Sequence, residues 1–145
     1  MIPKDLSVDN ISKIYKKIRP FINQTPFLKC PDDIDNYFST NLFFKCEFLQ
    51  KSGSFKARGA INNIISQDYN KFNKGITAVS AGNHAIASSF VANQFKLKNK
   101  IFLYESANKY RVETCKPENV NMYTCNTHPH QIYLEFLSEH GIFGT

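Results

Sequence analysis

The stretch "ITAVSAGNHAIASSFVANQFK", residues 76 to 96, decides the fold class. Its first part is short and apolar, then runs into Ser80, Ala81 and Gly82, as a buried strand ending at a tight turn does. Its second part carries Ile86, Phe90 and Val91 at the spacing of one helix face. Outward from it the same alternation holds. Upstream, "NLFFKCEFL" (41–49) reads as a strand and "GAINNIISQ" (59–67) as a helix with Ile61, Ile64 and Ile65 on one side. Gly75 breaks the polar loop "YNKFNK" (69–74). Downstream, "KIFLYE" (100–105) is a strand, "ANKYRVETCK" (107–116) a helix and "NVNMYTC" (119–125) a strand. "PHQIYLEFLSEHG" (129–141) reads as a closing helix, with Pro129 near its start and Gly141 as its C-cap.

From residue 42 the order is thus β-α-β-α-β-α-β-α. It predicts an α/β fold with a mostly parallel sheet flanked by helices. Ahead of it, "SVDNISKIYKKIRP" (7–20) predicts a helix capped by Ser7 and ended by Pro20, with Asp9 in its first turn. Ile11, Ile14, Tyr15 and Ile18 form its apolar stripe. "NQTPF" (23–27) and "CPDD" (30–33) read as turn or extended segments. The expected organisation is an N-terminal helix and extended segment over 1–41, followed by a partial α/β domain over 42–145.

Composition narrows the function classes. A chain of 145 residues suits one domain with a real core. Its 42% hydrophobic and 21% charged residues argue against disorder. The net charge is +6, but the lysines form no long run and no basic repeat interleaved with aromatics, so no nucleic-acid partner is expected. No apolar run approaches a membrane span, and "MIPKDLSVDN" turns polar too early for a signal peptide. Cys30, Cys46, Cys115 and Cys125 stand apart, without zinc spacing. They read as small buried hydrophobes in a reducing cytoplasm. His128 and His130 flank Pro129 without a neighbouring third ligand, so no metal is expected there.

Chemistry concentrates at two strand-to-helix junctions, the places where such folds bind ligands. The first is "QKSGSFKARGA" (50–60), where Gly53 and Gly59 ease backbone turns and Lys56 opens a helix. Burial, the positive helix end and the neighbouring Arg58 would each favour a neutral, nucleophilic amine on Lys56. From this segment alone, a solvated surface lysine stands beside that reading. The second is "VSAGNHA" (79–85), where Asn83 and His84 open a helix behind small residues. Helix-start amides and side-chain donors there suit a carboxylate or a phosphate. His84 titrates near neutrality when unperturbed, and a capping or packing role is its alternative.

Taken together, "NLFFKCEFLQKSGSFKARGAINNI" and "VSAGNHA", with "INQTPFLK" (22–29) upstream, resemble the fold-type II pyridoxal-phosphate enzymes. Within these the chain is most similar to the serine/threonine dehydratase and serine racemase group. The resemblance implies pyridoxal 5'-phosphate as cofactor, held covalently by Lys56, which also moves the substrate's α-proton. It implies that Phe55 packs on a cofactor face and that Asn83 hydrogen-bonds the cofactor ring hydroxyl. Ser80, Gly82, Asn83 and His84 match the loop that receives the substrate carboxylate. Ala81 stands where the racemases carry a serine that delivers a proton to the opposite face. Alanine cannot do so, which favours β-elimination of L-serine or L-threonine to a 2-oxo acid and ammonia. A racemase-like fragment and a non-catalytic module that binds a full-length relative are the alternatives.

The sequence also departs from the group. Its six glycines are never adjacent, and no glycine-rich phosphate loop follows the asparagine loop. The group's partner for the pyridine nitrogen and its C-terminal metal ligands have no counterpart. The expectation is a truncated member with little or no activity alone, an exposed apolar patch, and self-association or pairing with a full-length relative.

Overall fold

The structure, a computed structural model, describes residues 6–104, 106–115, 120–125 and 131. The expected helix over 129–141, the histidines at 128 and 130, and Gly141 lie outside these residues.

Helix α1 (Val8–Ile18) starts as its sequence requires. Ser7 caps it, its Oγ accepting the Asn10 N–H at 3.2 Å, and Asp9 and the pair Lys16–Lys17 complement the helix dipole. A 3-10 turn, Arg19–Phe21, follows with Pro20 inside it. Only part of the expected stripe faces inward. Ile18 is buried and Ile14 packs against the core, while Ile11 and Tyr15 remain exposed, so the C-terminal half of α1 is the half that reaches the interior.

The segment over 41–49 does not join the parallel sheet. Only Phe43–Lys45 (β2) is extended, and it pairs antiparallel with Phe27–Lys29 (β1) in a separate two-stranded ribbon. The ribbon is fastened at both ends, Cys30 N–H to Leu42 O at 2.9 Å and Cys46 N–H to Pro26 O at 3.0 Å. Beyond Cys46 the chain curls into a 3-10 turn over Glu47–Leu49, because its amides find local carbonyls instead of a neighbouring strand. Between the two strands, "CPDD" opens a helix, α2 (Asp32–Phe38), instead of an extended segment. Asp32, Asp33 and Asp35 crowd its first turn, where carboxylates are favoured, and Ser39 closes it in the left-handed conformation.

The α/β unit proper comprises α3 (Lys56–Ile65), β3 (Ile76–Val79), α4 (Asn83–Gln94), β4 (Asn99–Tyr104), α5 (Lys109–Thr114) and β5 (Val120–Cys125). The three strands are parallel in the order β3-β4-β5, with Ile76 opposite Asn99 and Asn99 opposite Val120. Gly75 leads into β3 at φ +89°, and a Cβ there would collide with the Lys98 carbonyl. One core cluster joins Ile18, Ile61, Ile64, Phe72, Val91 and Leu97 from α1, α3, α4 and their flanking turns. A second packs Ala85 of α4 against Ile101 and Leu103 of β4 and Cys115 after α5. Burying each large side chain fully is worth about 1.5–3 kcal/mol, so α3 and α4 are held chiefly by Ile61, Ile64 and Val91.

Cys30, Cys46 and Cys115 are free and buried, as small hydrophobes. Burial pushes the Cys115 thiol up, against a smaller opposing hydrogen bond from Ser89. Among the described residues, no helix is long and apolar enough to cross a membrane.

Candidate active site

Helix α3 begins at Lys56 with no side-chain cap, so Phe55 and Lys56 stand at a bare helix start. Helix α4 begins at Asn83 directly after β3 and the turn Ser80–Gly82. Ser80 prolongs the strand ladder, donating its N–H to Phe102 O at 3.0 Å, and its Oγ accepts the Gly82 N–H at 3.1 Å. That side-chain turn shapes the junction. Since α3 packs against α4, the two helix starts open onto one cleft of about 530 Å³.

Phe55, Lys56, Gly59, Ala60, Asn63, Val79, Ser80 and His84 line it. Four of the residues singled out in the sequence, Phe55, Lys56, Ser80 and His84, are therefore brought together. Gly82 and Asn83 lie in the same junction, Gly82 as the cap residue of α4 and Asn83 exposed in its first turn, but neither lines the cleft. Ala81 packs instead on the side of Ala85 and Leu103.

Two points about Lys56 are decided, its burial and its neighbouring charge. It is exposed, not buried, because it lies at the mouth of a helix whose apolar face turns the other way. Its Nζ stands 5.3 Å from the centre of the Phe55 ring, and Phe55 is itself 59% exposed. Nor is Arg58 a free neighbouring cation. Its Nε and Nη2 donate to the two Glu47 carboxylate oxygens at 2.8 and 2.7 Å. The hydrogen bond from Arg58 holds the Glu47 carboxyl at about 2, against a desolvation that opposes it, with help from the Thr25 hydroxyl at 2.5 Å.

Ala60 and Asn63 complete the cleft without having been singled out, although helical periodicity counted from Lys56 gives them its face, and Gly59, expected to ease a turn, lies instead inside α3 on that same face. Arg111 donates to the Ala81 carbonyl at 3.4 Å and approaches Gly82 from α5. No local pattern announces that contact, since thirty residues separate its partners.

The cleft fits a small aromatic aldehyde phosphate in part. Its volume lies in the range of about 300–1,000 Å³ usual for small-molecule sites, with an amine on one wall and an aromatic ring beside it. Asn63, Ser80 and His84 add polar groups.

Comparison with known proteins bears on the family and the fold. The family described as pyridoxal-phosphate dependent enzyme matches residues 18–141. Over 114 residues the chain is 38% identical to the serine racemase of Arabidopsis thaliana, covering 79% of this chain and 33% of that protein. It is 34% identical over 112 residues to the phenylserine dehydratase of Ralstonia pickettii, covering 77% of this chain and 33% of the relative. The structure of maize serine racemase superposes with a TM-score of 0.83 at 29% identity, over 95% of this chain and 43% of that one. The chain thus spans about a third of the length of these two curated relatives.

Proposed function

The chain belongs to the pyridoxal-phosphate-dependent enzyme family, and from that premise we propose that it carries the amine-bearing half of a site for β-elimination from L-serine or L-threonine. The family implies the cofactor; when bound, pyridoxal phosphate would withdraw electrons from the substrate's α-carbon. The observation that carries the reading is the single cleft lined by Lys56, Phe55, Ser80 and His84.

Each residue has a physical part in it. Lys56 is the residue that would hold the cofactor through its Nζ, and the same amine would serve as the base for the substrate's α-proton. Phe55 would present its exposed ring for stacking, and the family resemblance assigns the ring hydroxyl to the amide of Asn83, which stands beside the cleft at the start of α4. Ser80, Gly82, Asn83 and His84 receive the substrate carboxylate at the start of α4, a twelve-residue helix whose positive end favours an anion. Elimination needs a proton moved on one face only. Ala81 has no titratable group, so delivery to the opposite face, which racemisation requires, has no donor at that position.

The racemase names of several relatives favour a second reading, a serine racemase-like fragment. A third is a non-catalytic module pairing with a full-length relative.

The reading is tested by joining this chain to the C-terminal part of the Arabidopsis relative and supplying pyridoxal phosphate. Release of a 2-oxo acid and ammonia from L-serine or L-threonine is expected. Formation of D-serine without 2-oxo acid would replace elimination by racemisation.

A further inference from the structure

The turn that delivers Lys56 is bracketed on both sides. Before it, Gln50 accepts the Asn23 N–H at 2.8 Å and donates to the Asn23 carbonyl at 3.0 Å, while Asn23 Nδ2 donates to Leu49 O at 3.0 Å. After it, Arg58 grips Glu47 at two points. The same carboxylate accepts the hydroxyl of Thr25, which is only 4% exposed, and the Thr25 carbonyl accepts Lys45 Nζ at 2.6 Å. Both partners of the ion pair are mostly shielded, with side chains 16% and 24% exposed. Between the brackets lie Gly53 at φ +68° and Ser54, whose buried Oγ has no hydrogen-bond partner among the described residues. The loop is held within itself by the Gly53 N–H on Gln50 O at 2.7 Å and the Lys51 N–H on Gln50 Oε1 at 3.0 Å, and the contacts that tie it to the rest of the fold are those at its two ends.

We propose that Glu47 is a positioning residue for Lys56: by holding Arg58 and Thr25 together, it fixes the first turn of α3 and so aims the Lys56 amine into the cleft. A planar guanidinium bound at two points resists rotation as a single contact does not. Arg58 is two residues beyond Lys56 on the same helical turn, so a shift of the pair moves Lys56 with it. The pair also occupies the cation nearest in sequence on that helix, leaving Lys56 as the amine presented to the cleft. The inference rests on Lys56 being the cofactor-binding lysine.

The test uses the whole chain with pyridoxal phosphate as probe, borohydride to reduce the imine to a stable secondary amine, and peptide mapping. Glu47→Gln keeps the side chain's shape and removes its charge. Its fraction of total adduct found at Lys56 is expected to fall about tenfold, in line with the cost of small misplacements, while far-UV circular dichroism stays that of the parent. Glu47→Asp, which keeps the charge and both acceptor oxygens one methylene shorter, is expected to retain more of the selectivity than Glu47→Gln. Should Glu47→Gln fail to fold, Thr25→Val, which removes one donor only, is expected to lower the fraction severalfold in a folded chain. Unchanged selectivity in every folded variant, or a folded Glu47→Asp no more selective than Glu47→Gln, overturns the proposal. Unselective labelling of the parent chain would instead overturn the role of Lys56 itself.

Discussion

Lys56, the first residue of α3, and Ser80, the residue after β3, line one cleft although a helix, a turn and a strand separate them in sequence. Their meeting follows from the packing of α3 on α4, which the burial of Ile61, Ile64 and Val91 drives.

Acid should loosen the bracket beside Lys56. The Arg58 hydrogen bond, more than any other cause, lowers the Glu47 carboxyl from its ordinary 4.5 to about 2. A carboxyl lowered on folding contributes stability above its unfolded value, and that contribution disappears as pH falls through its folded value. Stability is therefore expected to be level above 4.5 and to decline from there towards about 2. In Glu47→Gln that decline should be shallower, and stability near neutrality lower by about 2 kcal/mol. Urea titrations at stepped pH, followed by circular dichroism, measure both.

Gly75→Ala is expected to destabilise the chain by about 2 kcal/mol or more, because alanine resists positive φ and its Cβ would strike backbone at Lys98. Gly53 also has positive φ but faces open space, so Gly53→Ala should cost less. Denaturation midpoints of the two variants rank them.

Much of this was legible in the sequence. The caps of α1, the inward faces of α3 and α4, and the strands β3, β4 and β5 follow from periodicity and local chemistry. So does the pairing of the two junctions, through their resemblance to one enzyme group. The ribbon was not legible, because Phe43–Lys45 satisfies strand propensity equally in a parallel sheet or in a pair with Phe27–Lys29, and only distant hydrogen bonds choose. Helix α2 hid in three consecutive turn-forming residues, Pro31, Asp32 and Asp33, which equally well begin a helix. Of the two readings the segment left open for Lys56, the exposed one holds, because a helix start can point its residues outward, and the charge of Arg58 is absorbed by Glu47, eleven residues upstream.

The ribbon leaves Phe27, Leu28, Phe43 and Phe44 exposed, with Phe27 and Phe43 stacked at 5.1 Å. Such an apolar surface, with a strand edge unpaired among the described residues, favours association. Light scattering at increasing concentration is expected to show growth in mass, reduced by Phe44→Ser. A monodisperse monomer throughout would contradict it.

In an enzyme completed with a relative's C-terminal part, Ala81→Ser should raise D-serine formation by supplying a hydroxyl at the position where racemases of this group carry one. Chiral chromatography reads the outcome, and no gain in D-serine would count against elimination as the native chemistry.

The most direct test of the cofactor role of Lys56 is the parent chain itself, incubated with pyridoxal phosphate, reduced with borohydride and mapped by mass spectrometry. Adduct concentrated on Lys56, and lost in Lys56→Ala, is the predicted result; adduct spread evenly over the lysines would contradict it.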